Sequence, residues 1–294
     1  MKPLDIMMAL LVVTIWGGNF IAMRAGALDI PPYFLLGLRL AVASVALVWF
    51  LRSPRGIVIP MILIALTMTT LHFGLALVGL QYVDAGTGAI AMQTAVPFAA
   101  LIAGLLFREP LGWRRAAGMV IAFAGIVVLT GVPRIGARLD MLALMMLSAF
   151  FFSVATIQIK QLGPQDFMSL NGWVSIFGAL FAFAVSLAVE TGQVAALEDA
   201  RWPAIAGIFY MALVASVFGQ GLWYRLLPRY ETNQVMPFTL LVPVLGVLFG
   251  VLLLDEEPSW RILIGGIVTV TGVALIVLRT GTRPPVPAAT VLKP

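Results

Sequence analysis

Apolar runs of about twenty residues, each bounded by charge, proline or glycine, succeed one another ten times along this chain. They lie near residues 5–25, 33–51, 57–79, 86–107, 113–131, 139–159, 168–189, 203–224, 233–254 and 260–278. A bilayer core about 30 Å thick is crossed by about 20 apolar residues in a helix, so ten crossings use roughly 200 residues. With 294 residues in all, the loops are short and no folded domain fits outside the membrane. Composition agrees: 61% of residues are hydrophobic and 11% charged, where soluble domains carry roughly 45–50% and 25%. The fold class expected is an all-α integral membrane protein whose function sits inside the bilayer.

The same composition removes whole classes of chemistry. With no cysteine and a single histidine, disulfide frameworks, thiol catalysis, iron–sulfur clusters and nitrogen-rich metal sites have no residues to build on. No cofactor and no metal is expected. A net charge of +5 could suggest nucleic acid on a soluble protein, but here the basic residues are spread over loop ends, so membrane lipid is the partner they fit. The first run continues through Trp16, Gly17, Gly18 and Asn19 without a small-residue cleavage site, so it reads as a retained span rather than a signal peptide. Residues 279–294 carry four prolines among small and polar residues, and a disordered tail is expected there.

Orientation follows from the basic residues. If the N-terminus lies inside, Lys2, Arg52, Arg55, Arg108, Arg114, Arg115, Lys160, Arg225, Arg229, Arg279, Arg283 and Lys293 face the cytoplasm, twelve in all. Five, Arg24, Arg134, Arg138, Arg201 and Arg261, face outward. The positive-inside rule therefore puts both termini in the cytoplasm. The chain also repeats itself. Pro97, Ala100 and Gly104 match Pro243, Gly246 and Gly250 at a shift of 146, and Gly118 and Gly125 match Gly265 and Gly272 at a shift of 147. Each proline-bearing run reaches a Glu-Pro pair, Glu109-Pro110 and Glu257-Pro258. Two five-helix repeats, residues 1–131 and 132–278, are implied. An odd number of spans inserts the second copy upside down. Inverted repeats of this kind mark secondary transporters, which bind substrate where the copies meet and expose it to each side in turn.

These residues resemble a known family. The Trp16-Gly17-Gly18-Asn19-Phe20 stretch, Arg39 in the second run, the mid-helix Pro97 and the Glu109-Pro110 turn before a glycine-spaced helix resemble the ten-helix EamA-type exporters of the drug/metabolite transporter superfamily. The likeness covers residues 5–278 and is greatest to the YddG-type exporters. It implies efflux of aromatic amino acids and related metabolites across the bacterial inner membrane. The chain departs from the four-helix multidrug members, which use an intramembrane Glu for proton exchange, because all 13 acids here fall in loops or at helix ends.

Helical spacing collects candidate site residues on common faces. They are Trp16, Asn19 and Met23; His72, Ala76 and Gly79; Ala89, Gln93 and Pro97; Ala149, Ser153 and Thr156; and Ser216, Gln220 and Trp223. Trp16, Asn19, His72, Gln93, Ser153, Ser216 and Gln220 are the expected substrate-binding set. A lone amide or hydroxyl in a span is commonly interhelical glue, but five stripes from both repeats favour one shared cavity. Neutral hydrogen-bonding groups mixed with aromatics suit a small molecule with an apolar body and a polar or zwitterionic end. His72 fits either a carbonyl contact between helices or a cavity wall. Arg39 reads as a structural anchor in preference to a carboxylate receptor, while Pro97 and Pro243 free mid-span carbonyls and read as hinges. Tyr82, Trp173 and Tyr224 lie nearer helix ends, where interfacial aromatic belts account for them.

The function expected is amino-acid export by alternating access and facilitated diffusion, with export of another metabolite or drug, including a proton-coupled one, as the alternative. An intramembrane enzyme is disfavoured because no G-x-S motif, no acyltransferase HxxxxD spacing after His72 and no mid-membrane acid is present. A receptor is disfavoured by the short loops. The charge count makes a direct forecast: a reporter fused after Arg283 reads as cytoplasmic and one inserted near Ala195 as extracytoplasmic. Both reporters on one side would overturn the inverted arrangement.

Overall fold

The computed structural model describes residues 1–54, 56–82, 91–107, 112–130, 139–253 and 260–277. Ala89, both Glu-Pro pairs and the tail 279–294 lie outside the described residues. Within them, all the regular structure is helical. We label α1 (Pro3–Asp29), α2 (Pro32–Leu47, closed by a 3-10 turn Val48–Phe50), α3 (Val58–Leu80), α4 (Ala91–Phe107) and α5 (Trp113–Thr130). There follow α6 (Leu139–Leu162), α7 (Phe167–Val189), a short helix Gln193–Glu198, α8 (Trp202–Arg229), α9 (residues 232–253) and α10 (Trp260–Val277). Among the described residues, α1, α2 with its 3-10 turn, α3, α6 from Ala143, α7 and α8 are long and apolar enough to cross a membrane, and the apolar cores of α4 and α10 are shorter.

Helix starts are dictated by the scarcity of water in lipid, where unpaired backbone N–H groups need partners from the protein. Pro3 and Pro32 occupy first-turn positions where no N–H is wanted. The Glu190 carboxylate, at the end of α7, accepts from the N–H groups of Tyr33 at 2.7 Å and Phe34 at 3.0 Å and so caps α2. Asp166 caps α7 by accepting from Ser169 N–H at 3.0 Å.

Two helices widen in mid-course. α3 is π-helical over Leu66–Gly74 and α8 over Tyr210–Gln220. Hydroxyls at these places compete for the helical carbonyls: Thr67 donates to Leu63 O at 2.8 Å, and Ser216 to Met211 O, five residues back, at 2.9 Å. Such π stretches are rare and concentrate at functional sites. α9 is irregular too, with a 3-10 stretch Met236–Leu241 before the helix restarts at Val242. In α4 the helix breaks at Thr94 and restarts at Ala95. Pro97 and Pro243 therefore sit in the first turn after a break, where the missing N–H costs little.

Close packing relies on small residues, since apolar helices gain nothing by leaving apolar lipid. α5 and α10 run antiparallel, with Gly118 against Gly272 and Gly125 against Gly265. α1 meets α9 where Gly17 lies against Leu245 and Gly246, while Ser153 on α6 donates to Ala95 O on α4 at 2.8 Å.

One end of the bundle carries Asp29–Arg201 at 2.7 Å and the Glu190 cap. At the other end, polar groups converge on the α8–α9 turn. Asp5 accepts from the Tyr230 hydroxyl and lies 3.6 Å from Arg229, Lys160 donates to Tyr230 O at 3.0 Å, and Arg115 pairs with Glu231 at 2.8 Å. Burial, reinforced by the bond to Asp5, raises the Tyr230 phenol above its ordinary range and keeps it a donor.

A methyl group at Gly272 would stand 2.5 Å from Ala122 N and 2.7 Å from Gly118 O. Gly272→Val is therefore expected to lower stability by about 1–3 kcal/mol or more, read as a fall in thermal midpoint of the purified protein. Gly266→Ala, whose added carbon would meet only Val244 at 3.6 Å, should leave the midpoint unchanged. Equal behaviour of the two variants would show that the α5–α10 contact does not hold the bundle.

A cavity at the helix breaks

The breaks and the widened helices surround one partly enclosed cavity of about 750 Å³, counted to its mouth. Trp16, Asn19 and Met23 of α1, Arg39 of α2, and His72, Phe73, Ala76 and Leu80 of α3 line it. Met92, Gln93 and Ala95 of α4, Met145 and Phe152 of α6, Gln220 of α8 and Thr239 and Val242 of α9 complete the wall.

One wall is aromatic. The Trp16 ring lies 5.1 Å from Trp223 and 6.0 Å, edge-on, from Phe152, and Phe152 stacks on Trp223 at 6.3 Å. His72 lies 4.8 Å from Phe152. Its Nδ1 is 3.2 Å from the Ser148 carbonyl and 3.0 Å from Ser148 Oγ. Ser148 donates in return to His72 O at 2.8 Å, which locks the ring to α6.

The polar part of the wall is under-satisfied. Arg39 is 1% exposed; its Nε donates to Ser216 Oγ at 2.8 Å and its guanidinium lies 4.4 Å from the Phe73 ring centre. Its Nη1 is buried without a hydrogen-bond partner, as are Asn19 Oδ1 and Gln220 Oε1. No carboxylate pairs with Arg39 among the described residues.

Of the seven expected binding residues, Trp16, Asn19, His72, Gln93 and Gln220 are brought together on the cavity. Ser153 and Ser216 are not on it. Ser153 is fully buried and bonded to Ala95 O and Ala149 O, whereas Ser216 stands behind Arg39 and holds its Nε. On α6 the face Ala149–Ser153–Thr156 packs, and the face bearing Met145 and Phe152 lines the cavity. Ser153 and Phe152 are adjacent in sequence and so point about 100° apart, while Ala149 and Thr156 lie nearer the lining side but are fully buried. Pro97 is exposed and Pro243 follows the α9 break; the adjacent Ala95 and Val242 reach the cavity instead.

Two aromatic and charged assignments change. Tyr224 is 2% exposed and belongs to the core, not to an interfacial belt, because α8 continues past it to Arg229. Arg39, expected as an anchor, also lines the cavity. Phe73, Phe152, Met145 and Thr239 were not legible as lining residues, although Met145 and Phe152 stand seven apart, a helical spacing that places them on one face.

Comparison with known proteins fits this architecture. The EamA-like transporter family matches twice, over residues 4–131 and 140–278. A "Probable amino-acid metabolite efflux pump" of Escherichia coli (strain K12) is 30% identical over 284 residues, covering 92% of this chain and 94% of its own length. Its namesake in Salmonella typhimurium is likewise 30% identical over 284 residues, with the same coverage. An "Uncharacterized transporter YoaV" of Bacillus subtilis is 25% identical, covering 91% of this chain and 95% of its own length. A solved crystal structure at 17% identity superposes with a TM-score of 0.78, covering 95% of this chain and 98% of its own, and so shares the fold. The chain is a membrane protein of the EamA-like transporter family, within the drug/metabolite transporter superfamily.

Proposed function

We propose that this transporter exports amino acids with aromatic or other bulky apolar side chains from the cytoplasm across the bacterial inner membrane, by alternating access and down the substrate's own gradient. The observation that carries the reading is the central cavity, which sets an aromatic wall of Trp16 and Phe152 against a few buried polar groups. Such a lining suits a ligand with a bulky apolar body and a zwitterionic end. The efflux named for the Escherichia coli and Salmonella relatives supports the direction and the substrate class.

The ten-helix inverted repeat, with halves 1–131 and 132–278 and both termini cytoplasmic, is part of the proposal. The double family match supports it. So does helix pairing: α1 packs on α9 and α8, α6 on α4 and α3, α2 on α8 and α7, and α7 on α3. Exchanging each helix for the one five places away leaves that set of pairs unchanged. The crossing of α5 and α10 is reciprocal in the same way, Gly118 meeting Gly272 as Gly125 meets Gly265.

The cavity wall runs along α1 from Trp16 to Met23 and along α3 from His72 to Leu80, toward the end that the charge count makes extracytoplasmic. The opposite end is crossed by the network on Arg229, Tyr230 and Glu231. This reads as an outward-facing state whose inner gate is the α8–α9 turn. The breaks at Thr94 and at residues 236–241 lie where halves would rock.

With the purified protein in liposomes, His72→Ala, Gln93→Ala and Gln220→Ala should each raise the KM for export about three- to tenfold while folding is kept, the loss of one hydrogen bond of roughly 0.5–1.5 kcal/mol. Ser153→Ala, which strips a partner from Ala95 O, should lower stability and leave KM alone. Unchanged KM in all three cavity variants would favour interhelical glue.

No Asp or Glu lines the cavity among the described residues, so proton coupling would fall to His72. Flux should proceed without a pH gradient, and His72→Gln, which keeps a hydrogen-bonding side chain, should retain it. Uphill accumulation driven by an imposed pH difference and abolished in His72→Gln would overturn facilitated diffusion.

A further inference from the structure

Three polar atoms buried without partners belong to residues that line the cavity: Arg39 Nη1, Asn19 Oδ1 and Gln220 Oε1. A donor or acceptor buried unsatisfied costs about 1–3 kcal/mol, and more when charged. Arg39 adds a full charge within the bilayer with no carboxylate beside it among the described residues. An uncompensated buried cation is strongly unfavourable unless something neutralises it. Packing alone does not explain the arrangement, because Ser216 and Phe73 fix the guanidinium by its Nε and its face and leave Nη1 without a hydrogen bond.

The three groups belong to residues that line one cavity. Arg39 Nε is held by Ser216, and Gln220 follows Ser216 by four residues, about one turn, on the π-helical stretch of α8. Asn19 lies on α1 one turn beyond Trp16, whose ring joins the aromatic wall. An α-amino acid carries an anionic acceptor and a cationic donor one carbon apart. We propose that Arg39 Nη1 receives the substrate carboxylate, that Gln220 Oε1 and Asn19 Oδ1 receive its ammonium, and that the carboxylate is the obligatory determinant. The inference rests on the amino-acid reading and sharpens it. With a cation but no anion on the wall, the site requires a negative ligand group and only favours a positive one. Its substrate class is monocarboxylates with a bulky apolar body, with the amino acid held best. Ser216 is a positioning residue that aims the guanidinium.

The test uses the full-length purified protein and matched probes: L-phenylalanine, L-phenylalaninamide, which lacks the carboxylate, and 3-phenylpropionate, which lacks the ammonium. The same acid and amide pair is run for leucine and methionine. Binding is read as ligand-induced thermal shift and as inhibition of counterflow in liposomes. The expected order is amino acid, then 3-phenylpropionate, then amide, with the amide at least tenfold weaker than the acid, about the 1.4 kcal/mol or more of a charge-assisted bond. In Arg39→Met the acid-to-amide ratio should collapse toward one. In Asn19→Ala that ratio should survive while the preference for phenylalanine over 3-phenylpropionate shrinks, a separation that general loss of folding does not produce. Equal binding of acid and amide by the unmodified protein overturns the carboxylate assignment and leaves amino-acid export standing. That comparison decides even where Arg39→Met does not fold. Binding of 3-phenylpropionate without any amino acid overturns the amino-acid reading and supports Arg39 as a carboxylate receptor. Failure of every probe overturns both.

Discussion

A polar atom in the bilayer core has no water to fall back on, so nearly every one must find its partner inside the protein. This requirement organises the molecule. Serine and threonine hydroxyls return to carbonyls of their own helices, as at Thr14, Ser44 and Thr271. Where a hydroxyl takes a carbonyl at another register, the helix widens, as Ser216 does with Met211 O. A carboxylate from α7 caps α2, and Ser153 reaches across to α4. Against that background Arg39 Nη1, Asn19 Oδ1 and Gln220 Oε1, unsatisfied on residues of one cavity, give that cavity its chemical character.

The second constraint is that apolar side chains gain nothing by leaving lipid, so helices associate through close backbone contact. Gly118, Gly125 and Gly272 let α5 and α10 touch backbone to backbone, and Gly17 does the same between α1 and α9. Elsewhere the bundle is deliberately irregular. The π stretches of α3 and α8, the turn at Thr94 and the 3-10 stretch of α9 each contribute residues to the cavity: His72, Gln220, Ala95 and Thr239.

Helical periodicity served α1 and α6 differently, and the difference is physical. On α1, Trp16, Asn19 and Met23 form one face, and all three line the cavity. On α6 the hydroxyls of Ser153 and Thr156 marked a polar face, yet in a membrane bundle a hydroxyl is as well served by a neighbouring carbonyl as by a ligand. Phe152 and Met145 carried no signal of their own, because apolarity does not separate lipid, core and cavity wall. Tyr224 was misplaced for a related reason: the length of α8 beyond it depends on how the α8–α9 turn folds back, which hydropathy does not record.

The sequence by itself determined that the chain lives in a membrane and that it resembles a family of transporters. The first follows from long-range counts of apolar residues and the second from the likeness of motifs, and neither needs knowledge of contacts. Only the tertiary structure decided which polar residues are glue and which face the cavity. Ser148, Ser153 and Ser216 found partners across helix interfaces, whereas Asn19 Oδ1, Gln220 Oε1 and one nitrogen of Arg39 did not. Whether a buried polar atom is satisfied depends on the helix that lies opposite, and that neighbour is set by packing between segments distant in the chain.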